Sequence, residues 1–116
     1  IRISRWNLQE IRTLAKLQEQ LLVAALRCVT VGGTVVYSTC TFAPEENECV
    51  LDKVLSRSSI DAELIELPRE LHPPSSIAPL QNWNGKELHN DLSNAMRIIP
   101  DSTTTGFFIA AMKRKS

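Results

Sequence analysis

Apolar residues recur at intervals of three and four over residues 8–29. Leu14, Leu17, Leu21, Ala25 and Cys28 form one row, Leu22 and Leu26 widen it, and Arg12, Lys16, Glu19 and Arg27 occupy other faces. The spacing predicts one amphipathic helix over 8–29, packed on a sheet. Asn7 and Glu10 stand at the spacing of a capping box at its start. Gly32 and Gly33 end it by supplying the positive φ values that turn a chain out of a helix. The pattern then changes period. TVVYS, residues 34–38, is β-branched and apolar enough for a strand buried on both faces, as parallel strands are.

Helical signals return after Cys40. Pro44 suits a first helical turn, Glu45 and Glu46 favour the positive end of a helix dipole, and Val50, Leu51, Val54 and Leu55 make a buried stripe. A second helix is predicted over 44–57. Residues 62–67, AELIEL, alternate as a half-exposed strand does. Periodicity fails over 68–94, where Pro68, Pro73, Pro74 and Pro79 stand among Ser75, Ser76, Asn82, Asn84 and Gly85. Long irregular loops are uncommon in compact domains unless they serve a function or cover a surface. Residues 96–99 and 107–112 read as two strands of a hairpin-like pair, separated by the turn-rich 100–106.

The fold class expected is therefore α/β, built on a strand, crossover helix and parallel strand, with the usual right-handed crossover. Three or four strands make an incomplete sheet, and one edge of the 34–38 strand is left unpaired and apolar. That is half of a domain. The chain opens on Ile1 and is read as a piece of a longer protein.

Composition narrows the function classes. The 116 residues suit at most one domain, and 13 basic and 13 acidic side chains cancel, so a polyanion must be met by a local patch. No apolar run approaches the about 18 residues of a membrane span, and an intracellular protein is expected, cytoplasmic or, in a eukaryote, nuclear or nucleolar. The cysteines Cys28, Cys40 and Cys49 include no C-x-x-C pair, which argues against both a disulfide framework and a zinc site. Cys40 differs from the other two in standing at the carboxyl end of a strand, where open α/β sheets bind ligands. Cys28 and Cys49 are expected in the core.

The run YSTCT followed by PEENE, with Gly32 and Gly33 before the strand, resembles the Sun/Nop family of RNA cytosine-5 methyltransferases. Arg97, Pro100 and the segment Thr105, Gly106, Phe107, Phe108 are similar to the family's last-strand pattern. The resemblance implies the C-terminal half of a Rossmann-like, S-adenosylmethionine-dependent catalytic domain over 1–116, acting on rRNA or tRNA. It makes Cys40 the nucleophile that adds to cytosine carbon 6, its thiolate favoured by the amino end of the helix near Pro44 and opposed by Glu45 and Glu46. Thr39, Asn47, Arg97 and Phe107 become the candidate substrate-binding residues, with Asn47 able to orient either the substrate or the Cys40 loop. The family's glycine-rich cofactor loop, its ribose-binding acidic residue and its Pro-Cys cysteine have no counterpart in this sequence, so no cofactor-binding residue is expected here. The missing N-terminal half of the domain becomes an expected partner, and the chain alone is expected to be inactive.

Plainer readings stand beside these. One of Phe107 and Phe108 faces the core by strand alternation. His72 and His89 have no ligand spacing, Trp83 is a loop anchor or a base-stacking side chain, and Arg2, Arg5, Arg12, Lys113, Arg114 and Lys115 are solvated charges or a phosphate rim. The alternative function is a non-catalytic piece that completes a sheet on another chain or binds RNA.

Overall fold

A computed structural model describes residues 8–100 and 106–116. The expected capping residue Asn7, the basic residues Arg2 and Arg5, and most of the 100–106 turn lie outside the described residues.

The sheet is organised around β7 (Phe107–Arg114), the last strand in the chain. One edge of β7 pairs along its length with β1 (Thr34–Thr39), from Thr34 opposite Lys113 to Thr39 opposite Phe108. The other edge is shared. β2 (Ala62–Ile65) takes the carboxyl-terminal part of β7, and β6 (Met96–Ile98) takes the amino-terminal part. β3 (Ser76–Ile77) extends the sheet beyond β6. Every pairing is antiparallel.

The expected hairpin-like pair of β6 and β7 is thus present, but the strand and crossover arrive in a different form. β1 and β2 are both antiparallel to β7 and so run parallel to each other, with β7 inserted between them. Helix α2 (Glu48–Leu55) is the crossover. β1 is not buried on both faces: its residues alternate between more and less exposed, and Val36 is 61% exposed. Among the described residues β1 has no neighbour on its second edge, as its sequence leads one to expect.

Alternation along β7 sends Phe108, Ala110 and Met112 to one face, where none has any exposed surface. There they join Leu22 and Leu26 of α1 (Leu8–Cys28) and Val50, Leu51 and Val54 of α2 in one core. The row of α1 that is buried differs from the row the spacing singles out. Ile11, Ala15, Leu22, Val23 and Leu26 face inward, while Leu14, Leu17 and Leu21 are 46%, 50% and 61% exposed, and Cys28 is exposed. The helix is apolar on two adjoining faces, so periodicity alone does not select the one that packs. Packing does. α1 lies against α2 and the turn before it more than against the sheet, and the Glu19–Arg57 ion pair at 2.9 Å links it to the end of α2. Its carboxyl end is closed by Arg114, whose Nη1 donates to the carbonyls of Arg27 and Val29. Gly32 then supplies a φ of 85°, whereas Gly33 is needed for a different reason: a Cβ there would meet Val29 Cγ2 at 2.5 Å.

The irregular 68–94 stretch is tied down at many points. Leu88 and Leu92 are buried in the main core and Trp83 packs against it, which is the anchoring role read for Trp83. Asp52 of α2, itself buried, accepts from the His89 backbone N–H at 2.9 Å and from Lys86 Nζ at 3.0 Å. Asp91 accepts from the Leu64 N–H, and Asn94 donates to the Leu64 carbonyl. The stretch also contains a hairpin, β4 (Asn82–Trp83) and β5 (Lys86–Glu87), turning at Asn84 and Gly85, both with positive φ. Asn-Gly between two strand residues is the sequence signal for that turn.

Removing the Asp52 carboxylate leaves a buried N–H and one end of the loop unpaired. Asp52→Ala is expected to destabilise the protein by about 1–3 kcal/mol and to speed hydrogen exchange at His89 and proteolytic cutting within 68–94. Exchange mass spectrometry beside a urea titration measures both.

Candidate functional site

Cys40 follows the last residue of β1 and is exposed. What surrounds it is less open. The segment expected as the first turns of a long helix is instead a three-residue 3-10 turn, Pro44–Glu46, followed at a joint by α2, which begins only at Glu48. The break has a cause in the side chains. Glu46, Asn47 and Glu48 are 4%, 0% and 0% exposed, so this part of the acidic run is folded inward.

Each of these three residues engages a different element around the Cys40 loop. The Glu46 carbonyl accepts from Tyr37 Oη at 2.6 Å, and its carboxylate accepts from Gln18 Nε2 at 2.9 Å. Burial, with the Glu46 charge adding to it, pushes the Tyr37 hydroxyl above its ordinary pKa, so the phenol stays a donor. The Asn47 carboxamide accepts from Thr39 Oγ1 and donates from Nδ2 to the Thr41 carbonyl at 2.9 Å. The Glu48 carboxylate takes both arms of Arg97, Nε at 2.5 Å and Nη2 at 2.7 Å, and accepts from the Leu80 backbone N–H at 3.0 Å. Arg97 Nη2 also donates to the Phe42 carbonyl at 3.3 Å.

The sheet register explains why these groups meet. Thr39 stands opposite Phe108, and Phe108 opposite Arg97, so the three form one row across β1, β7 and β6. Residues in such a row share a face. The Arg97 guanidinium carbon lies 5.9 Å from the Phe108 ring centroid, within cation–π range. Phe107, next on β7, is 38% exposed at the same end of the sheet as Cys40.

The structure therefore brings Cys40, Thr39, Asn47, Arg97 and Phe107 to one end of the sheet. Their surfaces differ. Asn47 is wholly buried, Arg97 has a side-chain exposure of only 14%, and Cys40 and Phe107 present themselves to solvent. Glu48 and Tyr37 also belong to the assembly and carry no local signal of their role. Two of the basic residues read as solvated charges or a phosphate rim have partners within the fold: Arg114 caps α1, and Lys115 lies 3.6 Å from Asp61. His89 Nδ1 accepts from the Asp91 N–H, and among the described residues no group of side chains is arranged to hold a metal.

Cys49 is half-buried rather than in the core, beside a cavity between α1 and α2 lined by Arg12, Lys16, Glu45 and Lys53 among others. Burial, reinforced by the carboxylates of Glu45, Glu48 and Asp52 and opposed by Lys53, pushes its thiol up to about 11.

The mixed α/β architecture is that of a partial Rossmann-like methyltransferase domain, and solved structures agree. The fold matches the crystal structure of a methyltransferase homologue from Pyrococcus horikoshii with a TM-score of 0.79 and 36% identity, covering 94% of this chain and 33% of that one. The chain belongs to the 16S rRNA methyltransferase RsmB/F family, whose sequence model matches residues 1–113. It is 32% identical over 110 residues to the tRNA (cytosine(49)-C(5))-methyltransferase of Pyrococcus abyssi, covering 94% of this chain and 34% of that protein. A 5-cytosine rRNA methyltransferase of Caenorhabditis elegans, nsun-4, is 41% identical over 69 residues, 60% of this chain and 15% of the other. The Sun/Nop resemblance is borne out, and the chain spans about a third of the Pyrococcus proteins it matches.

Two measurements follow from this geometry. Breaking the buried Glu48–Arg97 pair from one side, with Arg97→Met or Glu48→Gln, is expected to cost about 3–5 kcal/mol, and the double variant less than the sum, because each single change strands a buried group. A double-mutant cycle by denaturant unfolding tests this. For Cys49, the folded thiol keeps its proton above the 9.0 at which an unperturbed thiol titrates, up to about 11. The unfolded chain then binds fewer protons across that window, so stability falls as pH rises through it. Cys49→Ser is expected to flatten that part of the stability profile, read by urea unfolding at stepped alkaline pH.

Proposed function

We propose that this chain is the nucleophile-bearing, C-terminal part of the catalytic domain of an RNA cytosine-5 methyltransferase, acting on tRNA or rRNA. The observation that carries the reading is an exposed Cys40 at a strand end, flanked by the Thr39 hydroxyl and the Thr41 carbonyl, both of which are held by Asn47. Membership of the family and the names of its relatives supply the reaction class.

Carbon 5 of cytosine is a poor nucleophile. When the Cys40 thiolate bonds to carbon 6, the electron pair of the C5–C6 bond is displaced into the ring, and carbon 5 gains enamine character. After methylation at carbon 5, loss of its proton returns the pair to C5–C6 and expels the thiolate. The exposed Phe107 ring at the same end of the sheet offers an apolar wall for the base.

S-adenosylmethionine is the methyl donor in this reading. The groove of about 330 Å3 beside β1, lined by residues that include Gln18, Leu21, Val36 and Thr39, has no acidic side chain for ribose hydroxyls and no glycine-rich turn. Donor binding is assigned to residues outside this chain, in the N-terminal half, and the unpaired β1 edge and the exposed Leu14, Leu17 and Leu21 of α1 give that half a surface to pack on.

The test uses RNA carrying 5-fluorocytosine, whose fluorine blocks the elimination step and traps the protein on the base. With S-adenosylmethionine present, the chain joined to its upstream half is expected to form a covalent adduct, Cys40→Ala to form none, and the chain alone to form none. A reconstituted protein that binds donor and RNA yet neither traps the base nor methylates it refutes the reading. Methylation-free RNA binding or sheet completion by this chain would be the non-catalytic role instead.

A further inference from the structure

We infer that Asn47 is a positioning residue for the Cys40 thiol, acting through the residues on either side of it; the inference rests on the reading of Cys40 as nucleophile. Its carboxamide accepts from Thr39 Oγ1 and donates to the Thr41 carbonyl, so a single planar group bridges the positions immediately before and after Cys40. The bridge leaves Cys40 itself untouched and exposed.

Three features distinguish this from an ordinary buried asparagine. First, Asn47 is the residue preceding α2, where an asparagine side chain normally accepts from the first turn of the helix; here it makes no capping bond. The helix forgoes that stabilisation and the carboxamide serves the strand end. Second, Asn47 has no exposed surface, which removes direct contact with a base or phosphate and leaves action through its neighbours. Third, the bridge is braced. Thr41 Oγ1 accepts from the Ala43 N–H at 3.2 Å, and the Asn47 N–H donates to the Pro44 carbonyl at 3.1 Å, closing the turn on itself.

The chemistry needs such a device. An attacking sulfur must reach carbon 6 along a narrow approach, and a misplacement of 1 Å can slow a reaction by about a hundredfold. An unpinned loop would sample many placements. Thr39 is positioned to act as the near anchor rather than as a substrate contact, because its hydroxyl proton is committed to Asn47.

The experiment compares Thr39→Ser, Thr39→Val, Asn47→Asp and Asn47→Ala in the full-length protein, with Cys40→Ala as a control. Thr39→Val keeps the shape and removes the donor. Asn47→Asp keeps an acceptor and removes the donor to Thr41. Both are expected to lower kcat and the rate of adduct formation with 5-fluorocytosine RNA by about 10–100-fold with KM changed by less than roughly twofold. Thr39→Ser restores the bridge and is expected to stay within about threefold of the parent.

If Asn47→Ala does not fold, Thr39→Val against Thr39→Ser decides. Folded Thr39→Val and Asn47→Asp proteins with parental kcat overturn the inference, as does a loss confined to KM. Those results with an inactive Cys40→Ala leave the nucleophile reading standing, whereas an active Cys40→Ala removes it.

Discussion

The carboxylate of Glu48 is the constraint on which the rest of the site depends. With no exposed surface, it must be satisfied from within, and its partners come from two distant places in the chain, Arg97 on β6 and the Leu80 N–H in the long loop; Arg97 in turn donates to the Phe42 carbonyl, two residues after Cys40. A buried charge left without such partners is strongly destabilising. The need to neutralise Glu48 therefore fixes where β6 can lie, which in turn places the Phe108 ring beneath Arg97 and aligns the row that ends at Thr39.

Two buried acids one helical turn apart divide the work. Glu48 reaches the strand-end loop and residue 80; Asp52 reaches residues 86 and 89. A stretch of sequence with no periodicity is in this way tied to the helix at several points. Its order comes from outside itself, through polar contacts with α2 and through Leu88 and Leu92 in the core.

How much of this was legible depends on the range of each interaction. Cys40 at a strand end was readable because β-branched residues, a turn and a proline follow one another locally in 34–44. The antiparallel insertion of β7 between β1 and β2 was not, since an apolar run looks the same in either orientation. The buried face of α1 was misread because LLVAAL offers two apolar rows, and only contact with α2 chooses between them. The Glu48–Arg97 pair spans 49 positions and has no periodic trace at all. The Asn84–Gly85 hairpin did have one, an Asn-Gly pair flanked by Trp83 and Lys86, submerged among prolines and serines.

The edge of β1 that has no neighbour among the described residues carries a kinetic consequence. Thr34–Thr39 contains neither a charged residue nor a proline, the usual means of discouraging edge-to-edge pairing between copies. Whatever strand occupies that edge must win a race against other molecules. A strand carried on the same polypeptide by a short linker competes at an effective concentration on the order of millimolar, far above that of free copies in dilute solution. Where the pairing strand is carried on the same polypeptide, covalent connection acts as the fold's own chaperone.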